Sequence, residues 1–232
     1  MKFYESGDNR KPVIFLFPGT CCLYSSFDHV LDGLHSYFYT VAVSYDGFDP
    51  NEKTEFYSME DECEKIEQEI RTKYGGRIKA AYGCSLGGSF VSLLIQRKRI
   101  HIDHGIIGSS DMDEAGNLVA KIQASMVVPF MYKMIHTGAL PKFMQKKLNK
   151  TDGAKKELYN GFLNMFGIGK GGSPWITKQS IYNQFYSDLV TKVQHGIDVP
   201  GTTIHVFLRN KNGKKIRKEI LYLFQKSGYP KT

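Results

Sequence analysis

The stretch Gly83-Cys84-Ser85-Leu86-Gly87 constrains this chain more than any other. It reads G-x-S-x-G. A short apolar run, Ile78 to Tyr82, precedes it and has the length of a buried strand. Phe90-Val91-Ser92-Leu93-Leu94-Ile95-Gln96 follows with the composition of a helix. Strand, sharp turn and helix are the context in which this pattern places a serine on a strained turn, its hydroxyl lifted above the sheet edge. Glycine on each side tolerates the crowding. The helix aims its first N–H groups at the same point, where negative charge is stabilised. The alternative is a glycine-rich strand-to-helix turn with an incidental serine.

The flanking chain predicts an α/β fold with a mostly parallel sheet. Met1–Ser6 reads as an edge strand. Val13-Ile14-Phe15-Leu16-Phe17 is a continuous apolar run, typical of a central parallel strand. It ends in Pro18-Gly19-Thr20, and a helical spacing follows from Ser26 to Leu34. Tyr39–Tyr45 is the next strand. Residues 58–73 form an amphipathic helix with Ser58 as its cap and acids in its first turn. Ile102–Gly108 and Thr202–Leu208 complete the strands. Alternating strands and helices with short connections make a parallel sheet. Function in such sheets gathers at the carboxyl ends of the strands, where Thr20, Ser85 and Asp111 stand.

From Met112 to Asp188 the alternation lapses into a helical stretch rich in Met and aromatic residues, including Met126, Phe130, Met144 and Trp175. It reads as a helical cap inserted into the sheet domain, so that the core spans 1–111 and 189–232 and the cap 112–188. These side chains either pack the cap onto the core or line an apolar acyl pocket.

At 232 residues, with 41% hydrophobic and 13% aromatic residues, the chain has material for one core. No apolar run reaches the roughly 18 residues of a membrane span, and the N-terminus lacks a signal-peptide layout. Cys21, Cys22, Cys63 and Cys84 fit neither a disulfide framework nor a zinc site. They point to reduced thiols and a cytoplasmic protein. Residues 1–116 carry 12 Lys/Arg against 18 Asp/Glu, and residues 117–232 carry 19 against 5. The basic half marks either an anionic partner such as nucleic acid or a membrane surface or a solvated lysine-rich face, and with no nucleic-acid motif the solvated face is the expectation. Gly167–Gly172 precedes no GK[ST], so no phosphate loop is expected. No cofactor and no metal are expected.

The order strand–Pro18-Gly19-Thr20, strand–Gly83-Cys84-Ser85-Leu86-Gly87, strand–Asp111, cap, strand resembles the α/β-hydrolase family, especially small bacterial members with a helical cap. The resemblance implies a carboxylesterase-like serine hydrolase acting on a small-molecule ester through an acyl-enzyme. It implies Ser85 as nucleophile and an oxyanion hole from the N–H groups of Leu86 and Thr20. Pro18-Gly19 replaces the commoner His-Gly, which leaves Cys21 as an alternative to Thr20. For the acid it implies Asp111, with Asp113 and Asp188 as alternatives, because no carboxylate stands in 209–215.

The base is missing from this pattern. The family places a histidine after a final strand, and none follows Leu208 except His-free sequence to Thr232. His101, His104 and His195 precede or open strands, His205 lies within one, and His29 and His35 sit on the first helix. His136, in the cap, is the remaining candidate. The end of the chain turns abruptly basic at Lys211, Lys214, Lys215, Arg217 and Lys218. Back-translated with chosen codons and shifted by one base, Lys211–Thr232 has one reading as an amphipathic helix, Asn-Pro-Asp and the start of a strand. The expectation is a frame-shifted or truncated hydrolase of weak or no activity. Its competitors are a non-catalytic binding protein on the same scaffold and an acyltransferase.

Overall fold

The structure is a computed structural model that describes residues 1–110, 114–169, 171–194 and 197–207. Six strands form one sheet: β1 (Lys2–Ser6), β2 (Val13–Phe17), β3 (Tyr39–Ser44), β4 (Arg77–Cys84), β5 (His101–Gly108) and β6 (Thr203–Phe207). Their order is β1-β3-β2-β4-β5-β6. β1 runs antiparallel on the edge, and every other pairing is parallel.

Three helices connect the first strands: α1 (Asp28–His35), α2 (Met59–Tyr74) and α3 (Leu86–Arg97). Four more lie between β5 and β6: α4 (Asn117–Thr137), α5 (Lys142–Asn149), α6 (Ala154–Asn164) and α7 (Lys178–Val190). α2 begins where its sequence demands. Ser58 Oγ accepts the Asp61 N–H at 3.1 Å, three acids occupy the first turn, and Gly75 closes the helix at φ 63°.

Both faces of the sheet are covered, as the unbroken apolar run of β2 requires. Ile14 and Leu16 point toward α1 and join Phe27, Ala42 and Ala80. Phe15 and Phe17 point the other way, into the larger core with Phe90, Ile66 and Ile70. Phe90 of α3 stacks between Phe17, at 6.3 Å, and Tyr45, at 4.7 Å between ring centres. Phe56 meets Tyr45 edge-on at 6.1 Å. This aromatic column fixes α3 over the carboxyl half of the sheet.

α4 differs from its sequence expectation. Its 21 residues have the length and mean hydropathy of a membrane span. The helix nevertheless packs against α7, and lysines 121 and 133 lie within it.

The loop after β3 is held by a buried charge cluster. Glu62 Oε2 accepts the Asp46 N–H at 3.0 Å, and Lys65 donates to Glu62 Oε1 at 2.8 Å and to Asp46. Burial pushes the Glu62 carboxyl up to about 7, against the pull of Lys65. Burial also opposes ionisation of Asp46, but bonds from Lys65 and the Met1 ammonium hold it below the usual carboxylate range. A carboxyl with a pKa near 7 in the fold and the ordinary value of 4.5 when unfolded binds its proton more tightly in the fold. Its contribution to stability therefore falls as pH rises from about 4.5 to about 7. Glu62→Gln should flatten that part of the pH–stability curve by on the order of 2–3 kcal/mol. Urea unfolding midpoints at pH 5 and pH 7 check this.

Candidate active site

β4 ends at Cys84 and α3 begins at Leu86, so one residue makes the whole turn. That residue, Ser85, sits at φ 54° and ψ −124°. A non-glycine backbone here is strained, and the strain is held from both sides. The Ser85 N–H donates to Gly108 O at 2.9 Å, and Ser85 O accepts from Gly88 N at 2.8 Å. The close approach needs glycine. A Cβ on Gly83 would overlap the Gly87 carbonyl, and one on Gly87 would overlap the Phe17 carbonyl. Ser85 itself is exposed, and its hydroxyl has no hydrogen-bond partner among the described residues.

The loop after β2 lies against this turn. A Cβ built on Gly19 would sit 3.7 Å from Ser85 Cβ and 3.2 Å from Cys84 O. Cys22 N donates to Gly19 O at 3.0 Å, which closes a four-residue turn with Thr20 and Cys21 at its centre. Cys21 takes a positive φ of 60°, and its N–H donates to Gln184 Oε1 at 2.6 Å. The Cys21 N–H is thus occupied. The Thr20 N–H has no acceptor among the described residues. Neither has the Leu86 N–H, which as the first in α3 lacks an intrahelical partner.

α7 is the element that sequence reasoning missed. Ser180, Gln184 and Ser187 are fully or nearly buried and lie on one helical face. Each accepts a backbone N–H, from two segments: Phe56 to Ser180 Oγ at 3.2 Å and Met59 to Ser187 Oγ at 2.7 Å at the end of the loop after β3, and Cys21 to Gln184 Oε1 in the loop after β2. A polar stripe at this spacing on an otherwise mixed helix was the available signal. Gln184 Nε2 is buried without a partner.

The remaining candidates are scattered. Asp111, Asp113 and His195 lie outside the described residues, as does everything after Phe207, including the basic tail and its frame-shifted reading. Asp188, half-buried on α7, is close enough to Tyr45 to add to the rise that burial gives that phenol. His29 is exposed on α1. His35 bonds Ser6 Oγ at 2.9 Å and Thr40 Oγ1 at 3.2 Å, at the amino edge of the sheet. His101 lies 3.4 Å from Asp103 at the same edge. His104 Nδ1 and His205 Nε2 are 3.2 Å apart, and burial, then His104, lowers the His205 pKa. His136 on α4 lies beside the Tyr132 ring at 4.9 Å, its Nδ1 buried and unpartnered. No hydrogen bond joins a histidine to Ser85 among the described residues.

The neighbouring thiols are poor rivals to the serine. Burial, then Cys84, pushes Cys22 up to about 12, and burial raises Cys84 as well. Both stay protonated near neutral pH, which removes their nucleophilic form.

Solved structures share this arrangement of strands and helices. A carboxylesterase structure from the thaumarchaeon Nitrososphaera gargenis matches with a TM-score of 0.70 at 14% identity, over 99% of this chain and 84% of that one. An alpha/beta hydrolase from Sphaerobacter thermophilus matches with a TM-score of 0.62 at 13% identity, over 99% and 86%. The type II thioesterase BorB from the borrelidin biosynthetic cluster matches with a TM-score of 0.63 at 12% identity, over 98% and 85%. The chain has the α/β-hydrolase fold. No protein-family model matches the sequence, and no curated protein matches it.

Within that α/β-hydrolase fold, three substitutions at two positions probe the turn and the loop that faces it. Gly87→Ala drives a methyl into the Phe17 carbonyl and should cost about 3 kcal/mol. Gln184→Leu leaves the Cys21 N–H buried and unpaired, at about 1–3 kcal/mol. Gln184→Glu keeps an acceptor there but buries an acid, so its cost should shrink as the pH is lowered and the carboxyl is protonated, unlike that of the leucine. Urea midpoints for the three variants, at neutral and at lowered pH, check this.

Proposed function

We propose that this chain is a serine hydrolase acting on carboxylic esters, with Ser85 as nucleophile. The observation that carries the reading is the strained Ser85 backbone, its exposed hydroxyl flanked by two N–H groups without acceptors. Ser85 Oγ adds to the ester carbonyl carbon, its proton passing to solvent water and later returned by water to the leaving alkoxide, while the carbonyl electron pair moves onto oxygen. The resulting oxyanion takes the N–H groups of Leu86 and Thr20. Collapse expels the alcohol and leaves an acyl group on Ser85, which water releases as the acid. Asp111 is the carboxylate of this reading.

The helices α4–α7, within 112–188 and the first residues beyond, act as its cap, with 1–111 and 189–232 as core. A cavity of about 130 Å³ between α5 and α6, lined by Leu140, Met144, Leu148, Thr151, Tyr159 and Leu163, supports an apolar acyl group. The carboxylesterase and thioesterase among structures of similar fold support acyl chemistry. The four free cysteines support a reducing, cytoplasmic setting.

No described histidine is hydrogen-bonded to Ser85, and on that ground the proposed activity is weak. Oxyanion stabilisation and binding alone retain roughly 10³–10⁴ over the uncatalysed reaction. The same observation favours a second reading, a non-catalytic binding protein on a hydrolase scaffold. A fluorophosphonate probe separates the two. Labelling of the folded chain that disappears in Ser85→Ala, with loss of p-nitrophenyl ester hydrolysis to background, supports the hydrolase. Hydrolysis unchanged in Ser85→Ala overturns it. An unlabelled, folded chain leaves the binding protein as the reading.

A further inference from the structure

α4 carries apolar residues on two opposite faces. Ala120, Ala124 and Val128 are spaced four apart and buried, as are Met134 and Ile135. Leu118, Ile122, Met126 and Phe130 are also spaced four apart, and they are 72%, 52%, 75% and 42% exposed. Two residues of offset turn a helix by about 200°, so the second set looks away from the first. Val119 and Val127 are exposed as well and widen the outer stripe. A helix apolar all round is ordinarily covered on every side. α4 is covered on one. A continuous exposed apolar stripe of this kind marks an interaction surface.

Charge selects the occupant. Lys121 and Lys133 are exposed on the same helix. α5 repeats the pattern, with Phe143 68% exposed among exposed Lys142, Lys146 and Lys150. Residues 114–190 hold ten lysines, no arginine and four carboxylates. None of those lysines forms an ion pair among the described residues. A second copy of the chain on this stripe would bring like charges together. A bilayer with anionic headgroups offers both an apolar layer for the stripe and counter-charge for the lysines. An apolar face with a lysine border is the pattern of a helix lying in the membrane interface.

We propose that the outer face of α4, together with Phe143 and the lysines of α5, docks the protein on the surface of an anionic phospholipid bilayer. α4 lies along the surface with its alanine face on the protein. The proposal is independent of the Ser85 reading, because attachment is measured without catalysis.

The test is sedimentation of the full chain with vesicles of phosphatidylcholine alone and of phosphatidylcholine with phosphatidylglycerol. The chain should sediment with the anionic vesicles and not with the neutral ones, and added salt should weaken the binding. Ile122→Gln with Met126→Gln should lower the partition coefficient by more than about tenfold. Lys133→Gln and Lys142→Gln should lower it by about fivefold each. The lysine variants carry the test if the first pair fails to fold by circular dichroism. Equal binding to neutral vesicles overturns the proposal. So does binding to anionic vesicles that neither set of variants changes, which would place the attachment in the basic tail. A dimer in sedimentation velocity that Ile122→Gln with Met126→Gln dissociates would assign the stripe to a second copy instead.

Discussion

The close approach of three backbones at Gly83 and Gly87 governs the carboxyl edge of the sheet. Gly83 sits against the Gly87 carbonyl, and Gly87 against the Phe17 carbonyl. β4, α3 and β2 are therefore locked at a single point that admits no side chain. The Ser85 N–H bond to Gly108 O adds β5 to the same point. A residue at φ 54° costs about 1–3 kcal/mol. It persists because α3 is anchored so firmly: every residue from Leu86 to Ile95 is buried. The strain at Ser85 is thus maintained by packing that extends well beyond the serine.

α7 transmits that order to the loops around the site. Cys21 and Gln184 are 163 residues apart, yet one hydrogen bond joins them. Ser180 and Ser187 do the same for the loop after β3, whose other end is tied through Asp46 to Glu62. The turn bearing the Thr20 N–H is therefore positioned by a helix that enters only after nine other strands and helices among the described residues. Removing the acceptor would free the Cys21 N–H to compete for whatever occupies the site. Holding it leaves Thr20, rather than Cys21, as the turn residue whose N–H has no acceptor among the described residues.

This dependence explains what the sequence disclosed and what it withheld. The strands and the elbow are local: apolar runs, glycine spacing and a capped helix are written in neighbouring residues. The choice between Thr20 and Cys21 is not local. It turns on Gln184, whose role appears only when α7 is folded onto the loop after β2. The apolar wealth of α4 misled in the other direction. Met126 and Phe130 read as packing or as pocket lining, and both face outward. Composition reports how much apolar surface a helix has, but which face meets protein depends on its neighbours. Asp111 and the end of the chain lie outside the described residues, so the acid and the tail stay at the level of sequence.

The histidines show why an elbow and a catalytic base are separable features. His104 pairs with Ala80, whereas Gly108 pairs with Cys84 beside the serine. Four residues of strand separate His104 from that edge, about 13 Å, and its ring is engaged with His205. His101 is farther still, and His35 is bonded at the amino edge. Bringing His101 or His104 to Ser85 would require breaking strand pairs that hold the sheet, and His35 would have to leave its bonds to Ser6 and Thr40. The elbow, by contrast, is fixed by backbone packing alone and persists whether or not a base is present. In the proposed reading, the strained, exposed serine and its two neighbouring N–H groups stabilise an oxyanion, and the acceptance of the serine proton needs a further group. Among the described residues, then, the strained backbone at Ser85 is in place, and a histidine hydrogen-bonded to it is not.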